Sequence, residues 1–198
     1  MITVNRFHEI DGWILNTVKH DLLNNCETFI NLPIEFKKYN DIGFKSIATI
    51  PDGSCLIHSV ILSLSPTYSK IPHEHRSNYG RLFRKKEFIK HTNQDQNNII
   101  LVGSDEFLDD RHAAEIAKWL KIIIIMFDLT IERINHMHNT ELPSLHVIGL
   151  EQNTSDDTPV IFILGSGVHF ESIVINNHTT LSLNEAKNIT ELRDFLIF

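Results

Sequence analysis

Cysteine is nearly missing from this chain of 198 residues, which has two, Cys26 and Cys55. Two thiols exclude a disulfide framework and a four-cysteine zinc site, and such sparing use fits a reducing compartment, so both are expected to stay free. Long apolar runs are lacking as well. The longest, "IIIIMF" at 122–127, falls far short of the roughly 20 residues a membrane-spanning helix needs. The N-terminus carries polar and charged residues where a secretory signal needs an apolar stretch. The expectation is a cytoplasmic chain with no membrane insertion. Positive charge is also short: 18 Lys and Arg against 25 Asp and Glu leave a net charge of -7. That balance argues against a general nucleic-acid binder and leaves the basic run "RLFRKK" at 81–86 to be a solvated helix face. No repeat or low-complexity tract occurs, and 42% hydrophobic with 22% charged residues is ordinary for a globular domain.

What is present reads as one domain with a possible extension. Residues 1–43 hold Ile14, Val18 and Leu22 at helical spacing, then the loop-like "NLPIEFKKYNDIG", and are expected to form a helical N-terminal extension. The main domain would then cover 44–198. Within it, "FKSIATI" predicts a strand, and 55–65 predicts a helix stopped by Pro66. A further helix is expected from His73 to about Lys90, although Gly80 sits awkwardly inside it. "DDRHAAEIAKWL" predicts a helix feeding the buried strand "KIIIIMFD", and strands are expected at 131–135, 145–148, 160–164 and 168–175, with a tail helix after Ser182. The class is α+β or mixed α/β, a small twisted sheet packed between helices.

The chemistry concentrates in "TIPDGSCLIHSVILSLSP", residues 49–66. Cys55 falls in the first turn of the predicted helix, where unpaired N–H groups and the helix dipole favour a thiolate. Gly53 lets the turn approach a carbonyl closely, and the backbone N–H groups of Gly53 and Ser54 are candidates for an oxyanion hole. The plainer alternative is that Asp52 or Ser54 merely caps a helix that happens to begin with Cys. A base is offered by "VIFILGSGVHFESIVI" at 160–175, two strand-like runs around a glycine-rich turn. On a strand, His169 and Glu171 share a face, about 6.6 Å apart at Cα, so the carboxylate can orient the imidazole.

"PDGSCLIHSV" resembles the Asp-Gly-Asn-Cys segment of the ovarian-tumour-domain (OTU) cysteine proteases, and "GVHFESIV" resembles their later histidine strand. The helix and apolar strand of 109–128 are similar to those lying between the two motifs, so the resemblance runs from about Ile47 to Ile175. It departs from the family at Ser54 in place of Asn, Ile57 in place of an aromatic, and Glu171 in place of Asp or Asn. The resemblance implies a papain-like cysteine protease fold and deubiquitination, the hydrolysis of the isopeptide bond after the C-terminal glycine of ubiquitin or a ubiquitin-like modifier. It assigns Cys55 as nucleophile, His169 as general base, Glu171 as orienting acid and Asp52 to the oxyanion loop, with Asp52 the alternative third member.

By the same resemblance the partners are ubiquitin and polyubiquitin chains, the protein acts as a monomer, and no metal or organic cofactor is needed. The histidine pairs in "HEH" (His73, His75) and "HMH" (His136, His138) are what twelve histidines produce by chance. The acidic stretch "SDEFLDD", with Asp105, Glu106, Asp109 and Asp110, would face the basic tail of ubiquitin or else favour a helix N-terminus. An Asn- and Ile-rich composition suggests an AT-rich genome, and the resemblance to a family with compact viral and bacterial-effector members implies such an origin and a place in a host cytosol. An inactive OTU-fold ubiquitin-binding module and another Cys-His acyl-transfer enzyme are the alternative readings.

Overall fold

A seven-stranded sheet runs through the centre of the chain, in the computed structural model that describes residues 10–12, 14–16, 23, 26–83, 108, 110–152 and 154–196. Its strands are β1 (Ile30–Asn31), β2 (Phe44–Ile47), β3 (Ile123–Asp128), β4 (Leu145–Ile148), β5 (Pro159–Gly165), β6 (Phe170–Ile175) and β7 (Thr180–Ser182). The order is β1-β2-β6-β5-β3-β4, with β7 pairing the start of β5. β3 and β5 are parallel and the other pairs antiparallel, so the class is mixed α/β.

Strand periodicity divides the core in two. Ile124 and Met126 of β3, Ile161 and Ile163 of β5, and Phe170 and Val174 of β6 face one side, against the helix Cys55–Leu64. Ile123, Ile125, Phe127, Val160, Phe162, Leu164, Ile173 and Ile175 face the other. Because both faces are covered, β3 and β5 read as unbroken apolar runs rather than as an alternation. The helix Cys55–Leu64 has no Asp, Glu, Lys or Arg and is buried along its whole length. Its polar side chains are satisfied locally: Ser59 Oγ donates to Cys55 O, Ser63 Oγ donates to Ser59 O, and Ser63 and Ser172 hydroxyls meet at 2.9 Å.

Several sequence expectations need correction. Residues 131–135, expected as a strand, lie in a helix, Leu129–His138. Asp128 caps it by accepting from the N–H groups of Thr130 and Ile131, and Asn139 ends it at φ 51°. β6 begins at Phe170 rather than at 168, because Ser166 N–H donates to His169 O and closes a turn in which Gly167 has φ +84°. His169 thus stands just before the strand. The loop-like "NLPIEFKKYNDIG" starts on the last residue of β1 and holds a 3-10 turn at Ile34–Phe36 and a helical turn at Lys37–Asn40. Leu32, Phe36 and Tyr39 enter the core beside Phe44 and Phe127.

The helix expected from His73 begins as a 3-10 turn, His73–His75, after Pro72, and continues as Arg76–Phe83. Its expected continuation to about 90, and Val18 and Leu22 of the N-terminal stripe, lie outside the described residues, while 10–12 and 14–16 are helical. The tail helices Leu183–Lys187 and Thr190–Leu196 follow Ser182, which forms a capping box with Glu185. Among the described residues no helix is long and apolar enough to cross a membrane.

Candidate active site

Cys55 is the first residue of its helix, and 1% of its surface is exposed. Together with Pro51, Gly53, Leu108, Gly167, Val168 and His169 it lines a cavity of about 440 Å³. The pairing of β2 with β6 brings the turn before Cys55 and the turn carrying His169 together, and the Thr49 hydroxyl reinforces it by donating to Phe170 O.

The Cys55 thiol donates to Val168 O at 3.9 Å. Burial pushes the thiol up. Backbone hydrogen bonds from Phe170, Leu56 and Cys55 itself pull it down without overcoming burial, and the nearby Asp52 charge adds to the rise. Burial thus works against the helix-start activation expected from sequence.

His169 has its Nε2 3.8 Å from Glu171 Oε1, an ion-pair spacing longer than a hydrogen bond. Its other ring nitrogen, Nδ1, is buried and has no hydrogen-bond partner among the described residues. A ring approached by a carboxylate at Nε2 keeps Nδ1 for exchange with a thiol. Behind it, His169 and Glu171 line a second cavity of about 270 Å³ with Ile30, Pro33, Leu129 and Ser166.

Asp52 is engaged elsewhere. It accepts from Ser54 N–H at 3.0 Å and from Ser77 Oγ at 2.5 Å, and its carboxylate lies 3.2–3.4 Å from His58 Nε2. Burial alone would raise its pKa. The hydrogen bonds from His58 and Ser77, the His58 charge and the Ser54 amide outweigh burial and hold the carboxyl well below the usual carboxylate range.

The structure thus brings Cys55, His169 and Glu171 together and turns Asp52 toward His58. Gly53, at φ +80°, makes the bend ahead of Cys55. The Ser54 amide is directed to Asp52, and the Asp52 amide donates to Ile50 O. Asp105, Glu106 and Asp109 lie outside the described residues, and Asp110 opens the helix Asp110–Leu120, where only its backbone is described. Sequence reasoning missed Ser77, Tyr68 and His58 as partners of the catalytic turn. The only available signal was the i, i+3 spacing of Cys55 and His58 on one helix.

A cysteine at the start of a buried helix, sharing a cavity with a histidine that is backed by a carboxylate, has the layout of sites in thiol-dependent acyl-transfer enzymes. No family model matches the sequence, and no curated protein matches it. Among solved structures, the chain is similar to an ovarian tumor (OTU) domain in complex with ubiquitin, with a TM-score of 0.46 and 18% identity over 77% of this chain and 80% of that one. It is also similar to the OTUD1 OTU domain, with a TM-score of 0.43 and 15% identity over 70% of this chain and 90% of that one. The Hazara virus OTU bound to ubiquitin is similar at a TM-score of 0.39 and 17% identity, over 82% of this chain and 98% of that one. These are likenesses in the course of the chain, and the site is argued from its own geometry.

Proposed function

We propose that this chain is a cysteine-dependent deubiquitinase, hydrolysing the isopeptide bond after the C-terminal glycine of ubiquitin or a ubiquitin-like modifier. The observation that carries the reading is one cavity holding both the Cys55 thiol and His169, with Glu171 at the far side of the imidazole. The substrate class comes from the resemblance of "PDGSCLIHSV" and "GVHFESIV" to the OTU motifs.

In this reading His169 Nδ1 takes the thiol proton as Sγ attacks the glycine carbonyl, so the thiolate forms during attack rather than beforehand. The oxyanion is held by the Cys55 backbone N–H at the end of the Gly53–Cys55 turn, and Asp52 shapes that turn by holding the Ser54 amide. Collapse breaks the C–N bond, and the departing lysine amine receives the proton from His169. Water, deprotonated by the same imidazole, then hydrolyses the thioester and restores the thiol. Glu171 keeps the ring oriented throughout. The chain would act as a monomer in the cytosol, a host cytosol if it is viral or a bacterial effector.

A second reading, an inactive ubiquitin-binding module, draws on the same thiol, which is raised by burial and donates to the Val168 carbonyl. Ubiquitin carrying a thiol-reactive electrophile at its C-terminus separates the two. Covalent capture at Cys55 supports the enzyme, whereas binding without capture supports the module. Transfer of the acyl group to an added amine in preference to water would point to a different Cys-His enzyme.

A further inference from the structure

His58 has no exposed surface, yet its ring is held at both nitrogens. Nε2 faces the Asp52 carboxylate at 3.2 and 3.4 Å, and Nδ1 lies 2.6 Å from the Tyr68 hydroxyl. Tyr68 is fully buried and its hydroxyl also reaches Arg76 O at 3.3 Å, while the Arg76 guanidinium lies over the Tyr68 ring and pairs with Glu27. The imidazole and phenol rings are stacked, 16° from parallel. The tautomer carrying its proton on Nε2 donates to Asp52 and leaves Nδ1 to accept from the Tyr68 hydroxyl.

Gly80 explains how the ring fits. A methyl at residue 80 would stand 2.3 Å from His58 Cε1 and 2.7 Å from Nε2. Both separations are far inside contact distance, so the helix Arg76–Phe83 needs a glycine there to lie against the imidazole. The same helix supplies Ser77 to Asp52. Asp52 in turn accepts from the Ser54 amide, and the next residue is Cys55. An unbroken path of contacts therefore runs from Tyr68 through His58 and Asp52 to the Gly53–Ser54 peptide group, one peptide before Cys55.

Resting on the hydrolase reading of the same site, we propose that His58 is the positioning residue of the catalytic turn. It acts through Asp52 and does not touch substrate. It fixes the Asp52 carboxylate, which fixes the Ser54 amide and hence the Gly53–Cys55 backbone that receives the oxyanion. Gly80 and Tyr68 fix His58.

The test pairs kinetics with a measurement that needs no substrate. His58→Ala should lower kcat by about 10²-fold with little change in KM, because a misplaced transition-state donor leaves substrate binding intact. His58→Gln, whose amide can still donate to Asp52, should recover most of that loss. Amide hydrogen exchange at Gly53 and Ser54 should speed up in His58→Ala and Gly80→Ala while the rest of the Cys55–Leu64 helix stays protected.

If His58→Ala does not fold, Tyr68→Phe, which deletes one hydroxyl, carries the same measurements with a smaller expected effect. Wild-type kcat and wild-type exchange at Ser54 in a folded His58→Ala would overturn the proposal. So would a uniform loss of protection across the fold with no local effect at the turn. If wild-type protein fails to react with the ubiquitin probe, the hydrolase reading falls, and the exchange data still judge His58.

Discussion

At the scale of single residues, the candidate nucleophile Cys55 and candidate base His169 stand out in the sequence because each sits in a short motif with its own chemistry, a cysteine after a glycine turn and a histidine two residues before an acid. Cys55→Ala should abolish probe capture and cleavage while circular dichroism stays unchanged, since the substitution removes one sulfur from a helix start. Cys26 is exposed and lines neither cavity of the site, so Cys26→Ala should leave kcat and KM at wild-type values. The thiol's charge was not legible, because burial depends on what the rest of the chain places above it. Burial raises Cys55 from an ordinary value of 9.0, so its alkylation by iodoacetamide should still be accelerating above that pH. A rate that levels off near neutrality would instead mean a thiolate already stabilised by His169. Asp52 was equally hidden, since its partners come from Ser77 and His58. Its lowered pKa stabilises the fold above the unfolded carboxylate value of roughly 4, and that contribution disappears as pH falls through the folded value. The stability gap between wild type and Asp52→Asn, measured by urea unfolding, should therefore shrink on going from about pH 6 to strongly acid solution.

At the scale of elements, the strands with apolar runs and the helix behind Cys55 were readable from periodicity, whereas "LTIERINHMH" was misread. Its β-branched residues suggested a strand, but Asp128 supplies an N-cap and Asn139 a left-handed stop, and end signals decided over propensity. Asp128→Ala should accordingly cost about 1 kcal/mol, seen as a lower urea midpoint with an unchanged slope. Gly80 is the complementary lesson. A glycine inside a helix looks like a weakness in sequence, and only the imidazole packed on it shows why the position excludes a side chain.

For the whole molecule, the N-terminal extension expected over 1–43 from helical spacing and a loop-like stretch shares core packing with the residues after it. Phe36 and Tyr39 pack edge-on against Phe127, and Tyr39 also meets Phe44. A chain starting at residue 44 should lose cooperative unfolding or shift strongly to lower denaturant, as should Phe127→Ala, for which about 3–5 kcal/mol is expected. Such contacts join residues far apart in sequence, so no local pattern announces them. The bond from Thr49 to Phe170 spans 121 positions and flanks both halves of the site. Closing a loop that long is slow in folding and comes after local helices form. The thiol and the imidazole therefore meet only when β6 docks beside β2, which during synthesis means after residues 170–175 have emerged. Through its strand order alone, the fold keeps Cys55 and His169 apart until the second of the two motifs has been made.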